Sequence, residues 1–202
     1  MVLKTMEISS YKSQDLLRLL KEGSAVVFPT DTLPALAVLP ENAKDLWRIK
    51  KRPMKKPFIL MGASKEQLLE FVLPEAKEDA LKMSSYWPGA LTIVVPAIKS
   101  MVENLNPYGK SIGMRVPACD MAIKFLEKSG PLATSSANLS GENPSSDPKV
   151  IAKCLSKLPF LGPITKWPQP SGIASTVIDW EELGRWRLLR VGSFIPEEIE
   201  KK

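Results

Sequence analysis

Two stretches of this 202-residue chain gather groups that could do chemistry. Residues 50–57, KKRPMKKP, place five Lys or Arg in eight positions and punctuate them with Pro53 and Pro57. Residues 133–141, ATSSANLSG, follow an apolar run with hydroxyls, an amide and a glycine. Alone, the basic run fits a nucleic-acid patch, a localisation signal, an anion grip or a solvated loop, and the serine-rich run fits a capped turn. Together they are complementary. A triphosphate carries about four negative charges, and its desolvation must be offset by fixed cations and donors. Arginine offers a planar fork, lysine a point charge, and Ser and Asn neutral donors.

The rest of the composition narrows the chemistry. The chain has no histidine, so a Ser-His-Asp hydrolase is excluded and any catalysis must rest on carboxylates, hydroxyls, lysine, metal ions or the substrate's own groups. There is no GxxxxGK[ST] or GxGxxG motif, so phosphate binding must come from side chains or from amides of the serine-rich turn. Cys119 and Cys154 form no CxxC pair and read as two buried, reduced thiols. The net charge of +6 favours anionic partners without choosing among nucleotides, nucleic acid and membrane surfaces. No run approaches a membrane span and residues 1–14 lack an apolar leader core, so the expected location is cytoplasmic.

The elements that must position these groups alternate along the chain. Helices are predicted at 13–22, with Ser13 as cap and Gly23 as stop, at 42–50 with Asn42 as cap, at 64–72 with a Ser64-x-x-Gln67 capping box, at 75–87 and at 119–130. Strands are predicted at 25–28, 33–39, 58–61, 91–97, 111–117, the start of 131–148, 175–179 and 185–190. Residues 140–148 and 159–172 read as surface loops, and 195–202 as a short helix or frayed end. Intermixed strands and helices without a linker predict a single α/β domain with a mixed sheet.

The order FPTDT, KKRPMKKPFIL, YWPGALTIVVPA, IGMRVPA, PLATSSANLSGENPSSDP, STVID, LLRVG resembles the YrdC-domain family, in particular its threonylcarbamoyl-adenylate synthases, over residues 8–195 with no second domain. That family's Lys-x-Arg and Ser-x-Asn elements stand here as Lys50-x-Arg52 and Ser136-x-Asn138. The resemblance implies a twisted mixed α/β sheet flanked by helices around a large basic cavity. It implies a reaction in which L-threonine, bicarbonate or CO2 and ATP give threonylcarbamoyl-AMP and pyrophosphate, with Mg2+, feeding a tRNA modification.

On this reading Lys50, Arg52, Lys56, Ser136, Asn138 and Arg190 hold ATP and its phosphates. Thr32, Arg115, Ser135 and Ser175 lie near the threonine, with Arg115 facing its carboxylate. Asp31 and Glu142 could reach Mg2+ through water or serve as turn residues. The chain departs from the family pattern at Pro34, Ala35, Met61 and Ile173-Ala174, which fall around the expected threonine pocket and bear on amino-acid specificity. It keeps Ser-x-Asn, which the YciO-like branch tends to lose. The alternatives are an RNA-binding protein of the same fold and a divergent nucleotide-binding homologue without synthase activity. Trp47, Trp87, Trp167, Trp180 and Trp186 are scattered and read as packing residues rather than a base-stacking platform.

Overall fold

The computed structural model describes residues 9–155, 157–182 and 184–200. The reading of residues 1–8, the domain's first residue and the last two residues of the tail lie outside these. The strands are β1 (Ser10–Tyr11), β2 (Val26–Phe28), β3 (Ala35–Val38), β4 (Ile59–Met61), β5 (Leu91–Pro96), β6 (Ser111–Arg115), β7 (Leu132–Ser136), β8 (Phe160–Leu161), β9 (Thr176–Glu182) and β10 (Arg185–Arg190). The helices are α1 (Ser13–Lys21), α2 (Ala43–Lys50), α3 (Lys65–Leu69), α4 (Pro74–Met83), α5 (Lys99–Leu105), α6 (Asp120–Ser129), α7 (Pro148–Cys154) and α8 (Glu197–Glu200).

One sheet runs through the domain in the order β1-β8-β2-β3-β7-β4-β6-β5-β9-β10. It is mixed: β4 pairs parallel with β6 and β5 with β9, while β3 with β7, β4 with β7 and β5 with β6 are antiparallel. The expected α/β class holds.

The strands alternate faces with period two, and the two faces bury different sets. One face carries Val27, Leu36, Leu60, Ala133, Met114, Ile93 and Ile178 against α2, α3, α4, α5 and α7. The other carries Val26, Phe28, Ala37 and Leu132 against Leu16 and Leu20 of α1 and Ala122, Phe125 and Leu126 of α6. These two helices cover the β2–β3–β7 side of that face. Beyond them the same face carries Arg115 on β6 and Thr92 on β5, both buried, with Ser175 just before β9.

Several boundaries differ from the sequence expectation for local reasons. Ser13 is the first helical residue and not the cap: Lys12 stands at the cap, and the Ser13 hydroxyl is buried without a hydrogen-bond partner. Asn42 occupies the cap of α2 but makes no side-chain capping bond. Ser64 does cap α3, accepting from the Gln67 amide, while Gln67 Oε1 accepts from Ala63 N. The loop reading of 159–172 misses β8, whose two residues are held by pairing with β1 and β2. The polar stretch to 148 runs into α7, capped by Asp147 with Pro148 in its first turn. Cys119 is buried as expected, but Cys154 is exposed.

Gly192 closes the sheet's far end against the chain that precedes β9. A Cβ there would meet Ala174 O at 2.3 Å, Thr176 N at 2.3 Å and the Ser175 carbonyl carbon at 2.4 Å. All three are backbone atoms and none can swing aside. Gly192→Ala is therefore expected to lower stability by about 2 kcal/mol or more, the scale of overpacking in a close-packed interior. Urea denaturation measures it.

Candidate active site

Ladder register builds the site. Partners across a ladder share a face, so Ala35 lies with Ser136, Ile59 with Thr134 and Gly113, and Met61 with Leu132 and Arg115. Beyond Arg115, the same face continues through Thr92 of β5 and Val177 of β9, with Ser175 just before β9. Arg190 joins this face through a register shift between Leu188 and Arg190. Leu188 pairs with Ile178, which faces the opposite core, and simple alternation would send Arg190 the same way. The bulge sets Arg190 opposite Val177 instead.

A cavity of about 240 Å³ lies over this row, lined among others by Thr32, Arg52, Arg115, Ser136, Ser175 and Arg190. It is basic, but its volume is below the range of about 300–1,000 Å³ typical of pockets that enclose a drug-sized ligand. The expected large cavity is not confirmed.

Each arginine is held by groups of its own. The guanidinium of Arg115 donates from Nε to Gly89 O (2.9 Å), from Nη1 to Thr32 Oγ1 (2.7 Å) and from Nη2 to Asp31 Oδ1 (2.6 Å). Three of its five N–H groups are thus engaged in orienting it. Its residue is only 3% exposed. Arg190 donates from Nε to Ser175 O (3.0 Å) and from Nη2 to Ser175 Oγ (3.3 Å), and that hydroxyl in turn lies 2.8 Å from Thr92 Oγ1.

Arg52 rises from the end of α2. There Arg52 N donates to Trp47 O and Lys51 N to Arg48 O, a Schellman closure with Lys51 in the left-handed region at φ 49°. The basic loop then wraps its own arginine. Arg52 Nε donates to Lys56 O (3.2 Å), Nη2 donates to Pro57 O (3.1 Å), and the guanidinium sits 5.4 Å from the Phe58 ring centroid.

The electrostatics follow from three guanidinium groups and one carboxylate in a small space. Burial, and then the neighbouring Arg190, lowers the pKa of Arg52. Burial lowers that of Arg190. For Arg115, burial is the largest cause of a lowered pKa; Asp31 opposes it and Arg190 adds to it. Arginine stays protonated in proteins, so the three charges persist at neutral pH and an anion would relieve their repulsion.

Of the ten residues singled out from the sequence, seven border the cavity: Thr32, Arg52, Arg115, Ser135, Ser136, Ser175 and Arg190. Ser135 does so although the ladder pairs it with Leu36, on the other face. Lys50, Lys56 and Asn138 are not among the lining residues. Lys56 is exposed and contributes its carbonyl, which accepts from Trp47 Nε1 and Arg52 Nε.

Lys50 is 1% exposed. Its ammonium donates to Ser136 O (2.6 Å), Asn138 O (2.5 Å) and Asn138 Oδ1 (3.3 Å). It therefore shapes the Ser-x-Asn turn and does not reach into the cavity. The carboxamide nitrogen of Asn138 is likewise used within that turn, donating to Leu139 O and Glu142 O. Sequence reasoning missed Thr134 and Ile59, which face the cavity because of register, a property that residue type does not carry.

A family model for Sua5, YciO and YrdC proteins, described as telomere recombination, matches residues 18–192. The chain belongs to this family. The threonylcarbamoyl-AMP synthase of Pyrococcus abyssi is 37% identical over 190 residues, covering 90% of this chain and 54% of that protein. The synthase of Bacillus subtilis is 30% identical over 187 residues, with the same two coverages of 90% and 54%. This chain thus spans about half the length of these two relatives. The crystal structure of P. abyssi Sua5 complexed with L-threonine superposes with a TM-score of 0.83 at 30% identity, covering 94% of this chain and 56% of that one. Escherichia coli YciO superposes at 0.75 with 26% identity, covering 90% and 89%. Among the described residues no helix is long and apolar enough to cross a membrane.

Burial, and secondarily Arg52, pushes the Lys50 ammonium down to about 8 from 10.5. Between these values the folded chain releases the proton while the unfolded chain keeps it, so stability rises with pH in that window and the penalty for holding the charge is full below about 8. From about pH 7.5 to about pH 9.5 the wild type should gain about 2 kcal/mol relative to Lys50→Met. Paired urea denaturations at the two pH values test the sign.

Proposed function

We propose that this chain carries the threonylcarbamoyl-AMP synthase reaction: L-threonine, bicarbonate or CO2 and ATP give threonylcarbamoyl-AMP and pyrophosphate, a nucleotidyl transfer that supplies tRNA modification in the cytoplasm. The observation that carries this reading is the sheet-face cavity lined by three arginines and no carboxylate, in a chain related to synthases of that name. Such a cavity favours anions, and the groups it would have to hold are anionic: an amino-acid carboxylate, a carbamate and a triphosphate.

Arg115 is the partner for the threonine carboxylate through its remaining N–H groups. Arg52 and Arg190 face the phosphates, with Ser136 beside them. In our reading the amino acid and the phosphates take the centre of the cavity, with the nucleoside extending over its rim. The amine and CO2 form a carbamate without a strong enzymic base. The carbamate oxygen then attacks the α-phosphorus in line as pyrophosphate departs. Catalysis here is positioning and charge neutralisation, neither of which needs histidine.

The donor set bears on Mg2+. Among the described residues no three carboxylates or cysteines gather as a metal site, and the Asp31 carboxylate is engaged by Arg115. Glu142 is exposed. The described residues thus offer no cage for a resident ion. Mg2+ in our reading comes with the ATP phosphates and offsets their charge.

RNA binding by the same fold has only the net charge of +6 in its favour. The indole N–H groups of Trp47, Trp87, Trp167 and Trp180 are used inside the domain, on Lys56 O, Leu91 O, Leu161 O and Asp79, and Trp186 is buried.

Pyrophosphate release from ATP should require both threonine and bicarbonate. Absence of that dependence in folded protein would falsify the synthase reading. Arg52→Ala should lower kcat/KM by about 10- to 100-fold, the scale of one or two charge-assisted phosphate bonds. Near-wild-type activity would remove Arg52 from the phosphate site while leaving the reaction itself standing.

A further inference from the structure

Strand β5, LTIVVP, is apolar except at Thr92, and Thr92 is only 1% exposed. Valine would fill the same shape without bringing a hydroxyl into the core, where an unbonded one is costly. Among the described residues the Thr92 hydroxyl has one hydrogen-bond partner, Ser175 Oγ at 2.8 Å. Its methyl group lies on the other side: a Cβ on Gly113 of β6 would meet Thr92 Cγ2 at 3.2 Å. With the methyl toward β6, the branched side chain holds its hydroxyl toward the start of β9, because χ1 of such residues is stiff.

Ser175 is fixed as well. The next residue, Thr176, donates from N to Ala90 O (2.9 Å), and Gly192 packs against the Ser175 carbonyl carbon. Arg190 donates to both Ser175 O and Ser175 Oγ, so this serine moors that guanidinium. The family resemblance sets Ser175 near the threonine; these bonds set it at the pole that Arg190 occupies.

The supply of protons decides the direction of the Thr92–Ser175 bond. A guanidinium only donates, so Ser175 Oγ accepts from Arg190. If Ser175 gave its proton to Thr92, the Thr92 proton would be buried in an apolar strand without an acceptor, at the full desolvation penalty of an unmade bond. If Thr92 donates, its buried proton is used. Both lone pairs of Ser175 Oγ are then filled, and its own proton is left over. Ser175 borders the cavity, which is where an acceptor can approach that proton.

We propose that Thr92 is a positioning residue of the anion site: it donates to Ser175 and so makes the Ser175 hydroxyl a one-way donor toward the anion that Arg190 faces. On the synthase reading, on which this inference rests, that anion is an ATP phosphate. The hydroxyl has no free lone pair to turn on the phosphate oxygens. The phosphate meets a donor set in place by the strand beneath it.

Two substitutions separate this role from packing. Thr92→Val keeps the shape and removes the hydroxyl, whereas Thr92→Ser keeps the hydroxyl and removes the methyl. Thr92→Val is expected to unfold at or above the wild-type temperature, yet to bind ATP with Mg2+ about tenfold more weakly in calorimetric titration, the scale of one hydrogen bond to a charged group. Thr92→Ser is expected to unfold at a lower temperature, yet to bind ATP within about twofold of wild type. Ser175→Ala should weaken ATP about tenfold, and adding Thr92→Val to it should weaken ATP no further, because the two act through one proton. Thr92→Ala, which also loses the hydroxyl, is the second variant should valine not fold.

A Thr92→Val protein that binds ATP as the wild type does overturns the proposal. So does a double variant weakened about a hundredfold, the product of two independent losses. The titration needs no turnover and is read apart from the reaction. The expected affinities in a protein that releases no pyrophosphate support the role of Thr92 and overturn the synthase reading. Release that depends on threonine and bicarbonate, with ATP affinity unchanged in Thr92→Val, does the reverse. A wild type that neither binds ATP nor releases pyrophosphate overturns both.

Discussion

The buried ammonium of Lys50 is the contact on which the site depends. It joins the C-terminus of α2 to the end of β7, 86 and 88 residues away in sequence, through three oxygen acceptors. The backbone reinforces the same junction, with Ser140 N donating to Lys50 O at 2.9 Å. A charge this buried is retained only where fixed oxygens replace its water, and a neutral side chain of the same length would leave the Ser136 and Asn138 carbonyls without their donor. The Ser-x-Asn turn therefore takes its shape from the helix, and the helix end takes its place from the turn.

That junction sets the geometry of the anion site. Directly after Lys50, the Schellman closure turns the chain and lifts Arg52 over Phe58, whose ring packs 4.5 Å from that of Trp47. Lysine and arginine two residues apart thus face different environments. One is the internal strut, and the other carries its charge to the cavity wall. The mutual repulsion of Arg52, Arg190 and Arg115 is tolerated because each guanidinium is tied to carbonyls or hydroxyls that an approaching anion does not have to displace. Such preorganisation removes reorganisation cost from the binding step.

Much of this was legible in the sequence, and the failures have physical causes. The long helices and central strands were readable because their apolar periods are strong and their stops, Gly23 and Gly130, both adopt positive φ. Two missed elements, β1 and β8, have two residues each and exist because neighbouring strands pair with them, and the seven-residue helices α5 and α7 were missed as well. The cap assigned to Ser13 failed because the helix includes that residue. Lys50 was read as a phosphate grip from its charge and spacing. Charge identifies a residue able to bind phosphate, but burial decides whether the group is already bound to its own chain.

By itself, the sequence determined the α/β class, the family, the exclusion of histidine chemistry and the two stretches that meet at the site. These rest on residue type and order, which are local properties. Only the tertiary structure decided which side of the sheet each group serves. Arg190 faces the cavity because of a one-residue bulge, Thr134 and Ile59 because of register, and Lys50 faces inward because the helix end is pressed against β7. A shift of one residue in a ladder reverses the face of a side chain without changing any letter of the chain, so that assignment exists only once the strands are paired.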